Sequence, residues 1–348
     1  MADVTELTGR PEAQGRLADE HGRVARNLRV SLTDRCNLRC TYCMPPQGLP
    51  WMARASVLTD DEVVRLVRVG VERLGIRSVR FTGGEPLLRT GLEEIVAACA
   101  ALRSPDGAAP HLSLTTNGIG LAQRAAELAR AGIGRVNVSL DTLVPERFAA
   151  LTHRHRHSDV MAGMAAARAV GMRPVKLNSV LIRGVNDDEA CDLLEFALMH
   201  RYFLRFIEQM PIGPAGAWDS SRVVTAAEIL DRLATRFTLK PLDKGERGPA
   251  PARTWLVDGG PGAVGVIASV SWPFCGSCDR VRLTADGKVP NCLFAREEED
   301  LLGPMRAGAD DEQIAALWAA AVRTKAEWHG IGRAGFVPPA RTMSRIGG

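Results

Sequence analysis

Three cysteines stand in one short polar stretch, Cys36-Asn-Leu-Arg-Cys40-Thr-Tyr-Cys43. In a chain with eight cysteines among 348 residues, chance produces this spacing about 0.004 times. Three thiolates in one loop are metal or cluster chemistry. A structural zinc asks for four protein ligands, and no fourth Cys or His lies nearby in sequence. The triad favours a four-iron cluster with one iron left open to a substrate.

A second set lies far along the chain: Cys275-Gly-Ser-Cys278, with Cys292 fourteen residues on. The pair alone is a weak signal. The third cysteine strengthens it, because an Asp286-Gly287 turn between 281–284 and 288–293 reads as a hairpin that returns Cys292 to the pair. A closed zinc site here would need His329 as fourth ligand; an open-site cluster is the favoured reading. Cys99 and Cys191 stand alone in helical runs and read as small buried hydrophobes.

The elements around these loops alternate. Strand-like stretches at 28–33, 78–81, 111–115, 135–140, 175–181 and 202–208 are separated by helical runs at 63–74, 92–102, 121–131, 147–170 and 188–199. Thr59-Asp-Asp-Glu62 and Thr225-Ala-Ala-Glu228 are capping boxes. Six strands alternating with helices argue for parallel βαβ units closed into a partial barrel. Beyond about residue 235 the chain turns Pro- and Gly-rich and then strand-like, with a last helix at 311–325. This predicts a leader over 1–25 that is flexible, a barrel over 26–235 and a mixed α/β domain over 236–348. The first Cys loop follows strand one, Gly83-Gly84 strand two, Thr115 and Ser139 close strands three and four, and Met210 lies past strand six. All fall at one rim, the C-terminal strand ends where barrel enzymes do their chemistry.

Lys plus Arg number 44 against 40 Asp plus Glu, a net charge of +4. That excludes a DNA- or RNA-coating protein and an acidic disordered tail. Only five of the cations are lysines, so each can be inspected singly. The N-terminus has no apolar h-region, and the longest uncharged run, 259–278, is broken by five Gly and two Pro. Neither export nor a membrane span is expected. The cysteines are expected reduced, in the cytoplasm.

The Cys-x3-Cys-x2-Cys loop with Tyr42 before its third cysteine, followed by Gly83-Gly84-Glu85-Pro86, resembles the radical S-adenosylmethionine superfamily. From about residue 26 onward the chain resembles its GTP 3′,8-cyclase family, of molybdenum cofactor biosynthesis. The stretches that carry this include Phe81-Thr-Gly-Gly-Glu-Pro-Leu-Leu-Arg89, Thr115-Thr-Asn-Gly118, Asn137-Val-Ser-Leu-Asp141, Glu208-Gln-Met-Pro-Ile-Gly213, Phe274-Cys-Gly-Ser-Cys-Asp-Arg-Val-Arg-Leu-Thr284 and the terminal Gly347-Gly348.

The resemblance implies a partial (β/α)6 TIM-like barrel whose mouth the C-terminal domain closes, and two 4Fe-4S clusters. Cys36, Cys40 and Cys43 would hold the first, on which S-adenosylmethionine is cleaved to a 5′-deoxyadenosyl radical. Cys275, Cys278 and Cys292 would hold the second, which binds guanine. Tyr42, Gly84, Ser139 and Met210 match S-adenosylmethionine contacts. Arg29, Arg80, Thr115, Lys176, Arg280, Val281 and Arg282 match GTP contacts, with Gly347 and Gly348 threading into the site. The radical would take the ribose 3′ hydrogen of GTP, and the sugar radical would attack guanine carbon 8. The resemblance further implies an electron donor such as flavodoxin or ferredoxin and allows a homodimer.

Two features depart from the pattern. Asp279 stands where Asn is expected, and His153-Arg-His-Arg-His157 carries alternate histidines, read as a solvated segment rather than a metal site. Two rivals stay open on sequence alone: a radical enzyme acting on a peptide, and a zinc-dependent module without catalysis.

Overall fold

The computed structural model describes residues 16–214, 216, 218–242, 249–333 and 335–347. Six parallel strands appear where alternation places them: β1 (Asn27–Ser31), β2 (Ser78–Thr82), β3 (His111–Thr116), β4 (Arg135–Ser139), β5 (Val175–Leu181) and β6 (Phe203–Glu208). Between them run α1 (Asp60–Glu72), α2 (Leu92–Ala100), α3 (Leu121–Ala131), α4 (Pro145–Thr152), α5 (His157–Ala169) and α6 (Ala190–Met199). α7 (Ala226–Ala234) follows β6. Thr59 and Thr225 both close reciprocal capping boxes, so α1 and α7 start where their side chains satisfy the first free N–H groups.

The strands of the C-terminal part extend the same sheet. Here β7 (Leu239–Pro241), β8 (Arg253–Val257), β9 (Ala263–Ile267) and β10 (Arg280–Leu283) all join one ten-stranded sheet, in the order β10-β1-β2-β3-β4-β5-β6-β9-β8-β7. β10 lies parallel to β1 and β9 parallel to β6. Six strands of a partial barrel leave two bare edges, each a row of unpaired N–H and C=O groups. The C-terminal strands cover both. The barrel does not close, since β10 and β7 are its two ends.

The Asp286-Gly287 turn forms, with the Gly287 N–H donating to the Thr284 carbonyl at 3.0 Å. The strand that leaves it, β11 (Lys288–Val289), pairs with β12 (Glu299–Asp300) and not with β10. Three short or terminal helices complete the chain: α8 (Leu302–Arg306), α9 (Asp311–Arg323) and α10 (Met343–Ile346). Trp318 of α9 is fully buried, its ring lying against Gly70 of α1.

The flexible leader is corrected over its last ten residues. Residues 1–15 lie outside the described residues, but Leu17 is fully buried and Ala18 bridges Val24. Arg23, ion-paired to Asp19 at 2.6 Å, reaches the carbonyls of Cys275, Lys325, Ala326 and Glu327. Four backbone acceptors hold one guanidinium, so this segment is packed.

Candidate functional site

Side chains alternate along a strand, and in-register neighbours of a parallel sheet share a face. Arg29 of β1 registers with Arg80 of β2 on one side and Arg282 of β10 on the other. Thr115 registers with Asn137, Asn137 with Lys176, and Asn178 with Arg205. The inward face of this barrel is therefore a polar, cationic layer. Barrel interiors are ordinarily packed with Val, Ile and Leu. A polar one is built around a ligand.

Four guanidiniums of this layer are buried with little to answer them. No carboxylate among the described residues pairs with Arg29, Arg80, Arg205 or Arg282. Arg205 is held by Asn178 at 2.9 Å and Asn137 at 3.0 Å, and Arg282 donates to the Gly347 carbonyl. Arg280 stacks on the Phe274 ring at 4.9 Å and lies 3.8 Å from Asp279. Burial, and then the neighbouring Arg282 and Arg80, push Arg29 well below its ordinary value. Burial followed by Arg205 brings Arg80 to about 9 and, by the same cause with Arg135 and Arg80, Lys176 to about 7. A guanidinium stays protonated under ordinary conditions, so its downward pull registers as repulsion that an anion would relieve.

The cavity above this layer, of about 300 Å³, is lined by both cysteine triads. Cys36, Cys40 and Cys43 face it from the loop after β1, Cys275 and Cys278 from the stretch before β10, and Cys292 from the loop after β11. The two triads thus border one chamber. Among the described residues no three His, Cys, Asp or Glu side chains are grouped to hold a single metal ion. Both triads border one open volume, and the all-sulfur donor set is the one iron–sulfur clusters take. The residues fit that group.

Local chemistry differs between the triads. Burial raises Cys36 to about 11 and Cys43 to about 12, with Glu85 and Cys36 respectively adding to it. Cys40 is raised by burial and by Cys43 and Asp141. Cys278 goes the other way, to about 7: burial raises it, but Arg280 and Lys325 together outweigh that. His329, the sequence's candidate fourth ligand, lines the cavity with its Nδ1 already accepting from the Ile331 N–H at 3.0 Å.

Of the other residues singled out in the sequence, Tyr42, Gly84, Ser139, Met210, Thr115, Arg29, Arg80, Arg280 and Arg282 line the cavity. Lys176 sits a layer below, its ammonium 5.2 Å over the Phe203 ring. Val281 points to the opposite face, into the apolar core, so its side chain is removed from the site. Gly347 lies at φ 84°, where an added Cβ would fall 2.3 Å from Ser31 Oγ. Gly348 lies outside the described residues. Asp279 accepts from the Asn27 side-chain amide, which holds its carboxylate beside β1.

Gly84 has a reason within the chain itself. Its N–H donates to the Thr33 carbonyl at 2.7 Å, and a Cβ there would stand 2.3 Å from the Arg35 carbonyl oxygen. The glycine lets β2's loop press against the first cysteine loop. Gly84→Ala is expected to cost about 1–3 kcal/mol, because only backbone can yield. Thermal melting together with first-site iron measures this; a variant unchanged in both would contradict it.

Several residues of the quoted motifs are given no role by the sequence reading. Glu85, fully buried, accepts from Thr116 Oγ1 and the Asn117 and Leu87 N–H groups, and burial lifts it to about 7. Asn117 Nδ2 lies 3.9 Å from Cys36 Sγ. Asp141, raised by burial to about 6, accepts the Tyr42 hydroxyl at 2.6 Å. Glu208 takes the N–H groups of Ala226, Val270 and Ser271, tying the end of β6 to α7 and to the loop after β9. Arg205 carried a signal in sequence: an Arg in the middle of the otherwise apolar Phe203-Leu-Arg-Phe-Ile.

Residues 30–197 match the Radical SAM superfamily and residues 202–331 the family described as Molybdenum Cofactor Synthesis C. A Streptomyces coelicolor protein named GTP 3′,8-cyclase is 58% identical over 332 residues, covering 95% of this chain and 96% of its own length. A Corynebacterium glutamicum protein of the same name is 53% identical over 345 residues, covering 97% and 91%. In fold, Streptococcus suis SuiB bound to S-adenosylmethionine aligns with a TM-score of 0.56 at 12% identity, over 86% of this chain and 69% of its own. With a shared chamber, a cationic barrel interior and this similarity over nearly its whole length, the chain belongs to the radical SAM superfamily and, within it, to the GTP 3′,8-cyclase family.

Proposed function

We infer that this enzyme cyclises GTP to 3′,8-cyclo-7,8-dihydroguanosine triphosphate with S-adenosylmethionine as radical source, an early step of molybdenum cofactor biosynthesis. The observation that carries this is the layer of buried guanidiniums without carboxylate partners, lying beneath two cysteine triads. A triphosphate carries about four negative charges and answers that layer through charge-assisted, bidentate bonds. When bound, iron–sulfur groups supply single-electron chemistry at one triad and an open coordination position at the other.

Within this reading Cys36, Cys40 and Cys43 hold the first cluster and Cys275, Cys278 and Cys292 a second. Arg29, Arg80, Arg280 and Arg282 grip the phosphates, with Lys176 beneath them and Thr115 toward the sugar. Tyr42, Gly84, Ser139 and Met210 border S-adenosylmethionine. The Tyr42 hydroxyl is committed to Asp141, so its ring is held in one orientation. Gly347 lies over Ser31 and Thr82 and accepts from Arg282, which places the tail beside the arginine layer. A flavodoxin- or ferredoxin-like protein would deliver the electron. No helix among the described residues is long and apolar enough to cross a membrane.

The test is direct. Protein reconstituted without oxygen is expected to hold about eight iron and eight sulfide per chain. It is expected to consume GTP only with S-adenosylmethionine and a reductant present. GTP left intact under those conditions would refute the reading.

Lys176 gives a pH signature. In the free protein it is neutral above about 7. A bound triphosphate favours the ammonium and moves that value back up, so binding between about pH 7 and 10 takes up a proton. Affinity is therefore highest below pH 7 and falls as pH rises. Calorimetry in buffers of different ionisation enthalpy measures the uptake, which Lys176→Met is expected to remove.

A further inference from the structure

The two sulfur triads differ in the charged groups around them. At the first, the carboxylates Glu85 and Asp141 act on Cys36 and Cys40, and Arg39 acts on Cys36 in the opposite sense. At the second, the side chain of Lys325, only 4% exposed, donates its ammonium to Cys278 Sγ at 3.3 Å and to the Arg280 carbonyl at 2.7 Å. It has no carboxylate partner among the described residues.

This lysine is held from behind. Its backbone N–H closes the end of α9 on the Val322 carbonyl at 3.1 Å. Its own carbonyl and those of Ala326 and Glu327 accept from Arg23, and the same guanidinium holds the Cys275 carbonyl at 3.0 Å. One residue of the N-terminal segment thus fixes the second cysteine loop and the lysine backbone together. In a chain with five lysines among 44 cations, the compact ammonium at this point is the exception.

We propose that Lys325 is a positioning residue that raises the reduction potential of an iron–sulfur cluster on Cys275, Cys278 and Cys292, through an N–H···S bond and an uncompensated positive charge. The inference rests on the reading of that triad as a cluster site. Adding an electron makes a cluster more negative, so a nearby cation and a donor to its sulfur stabilise the reduced form more than the oxidised one. The bond from Lys325 to Cys278 Sγ thus makes a cluster at the second site easier to reduce than it would be without the lysine.

The experiment uses the full chain with Cys36, Cys40 and Cys43 all changed to Ala, reconstituted anaerobically, so that a single cluster signal remains. Iron and sulfide are assayed, and the midpoint is read by an EPR-monitored redox titration. Lys325→Met, which keeps the apolar stem but removes donor and charge, is expected to keep its iron and to shift the midpoint to more negative potential. Lys325→Arg is expected to lie closer to the parent than the Met variant does. Should the Met variant lose its cluster, the Arg and Gln variants carry the comparison, with Gln, an uncharged donor, falling below Arg. A parent that binds no iron overturns the cluster reading and the inference with it. Full iron with unmoved midpoints in all variants sinks the tuning role alone. So does a Met variant whose only defect is weakened GTP binding, since Lys325 would then be a substrate cation.

Discussion

Cys36→Ala is expected to abolish S-adenosylmethionine cleavage and to remove about half of the iron of the reconstituted protein. Cys36 borders the chamber from the first loop, with Asn117 Nδ2 at 3.9 Å from its sulfur and Arg39 donating to its carbonyl at 2.7 Å. No other cysteine stands in reach as a substitute within that loop, and a cluster with two thiolates is labile. The second triad, on separate loops, is untouched, so its half of the iron stays. The fold is expected to persist, because Cys36 is not among the fully buried core side chains. Iron and sulfide assays with detection of 5′-deoxyadenosine check this. Retained cleavage would remove Cys36 from the ligand set.

Arg282→Ala is expected to act on the other partner. This guanidinium is 5% exposed, registers with Arg29 across β1 and holds the Gly347 carbonyl. A charge-assisted hydrogen bond contributes about 1.5–3 kcal/mol, so GTP affinity is expected to fall by roughly 10- to 100-fold. Without GTP the same arginine mainly repels Arg29, so the unliganded chain is not expected to lose stability in proportion. Cleavage of S-adenosylmethionine uncoupled from GTP is expected to continue. A variant with normal GTP affinity and no cleavage would reverse the division between the two halves of the chamber.

Periodicity made the first six strands and their helices legible, and two Thr-x-x-Glu boxes located helix starts to the residue. The junction of β10 with β1 was not legible. Its partners lie some 250 residues apart, and a four-residue strand carries no mark of what it will pair with. The packing of 16–25 was hidden for a similar reason. It depends on Arg23 finding carbonyls around residues 275 and 325–327, and polar composition alone resembles a loose end. At the site, cysteine spacing and strand-end glycines pointed to the chamber, while Glu85, Asp141 and Glu208 did not stand out as roles. They are carboxylates satisfied by backbone N–H groups, and only a folded chain shows which N–H groups converge. The period of two along β10 sends the Val281 side chain to the opposite face from Arg280 and Arg282.

The late arrival of β10 and β9 at the flanks of the sheet has a consequence for synthesis. While the chain is still emerging from the ribosome, β1 and β6 have neighbours on one side only, and those bare flanks are sites for wrong pairing. The strands that protect them are made last. Arg280 and Arg282 join the inner layer in that same closing event, and Cys275, Cys278 and Cys292 come with them. A nascent chain therefore holds only part of the chamber's lining, and its last-made strands and loops supply the rest.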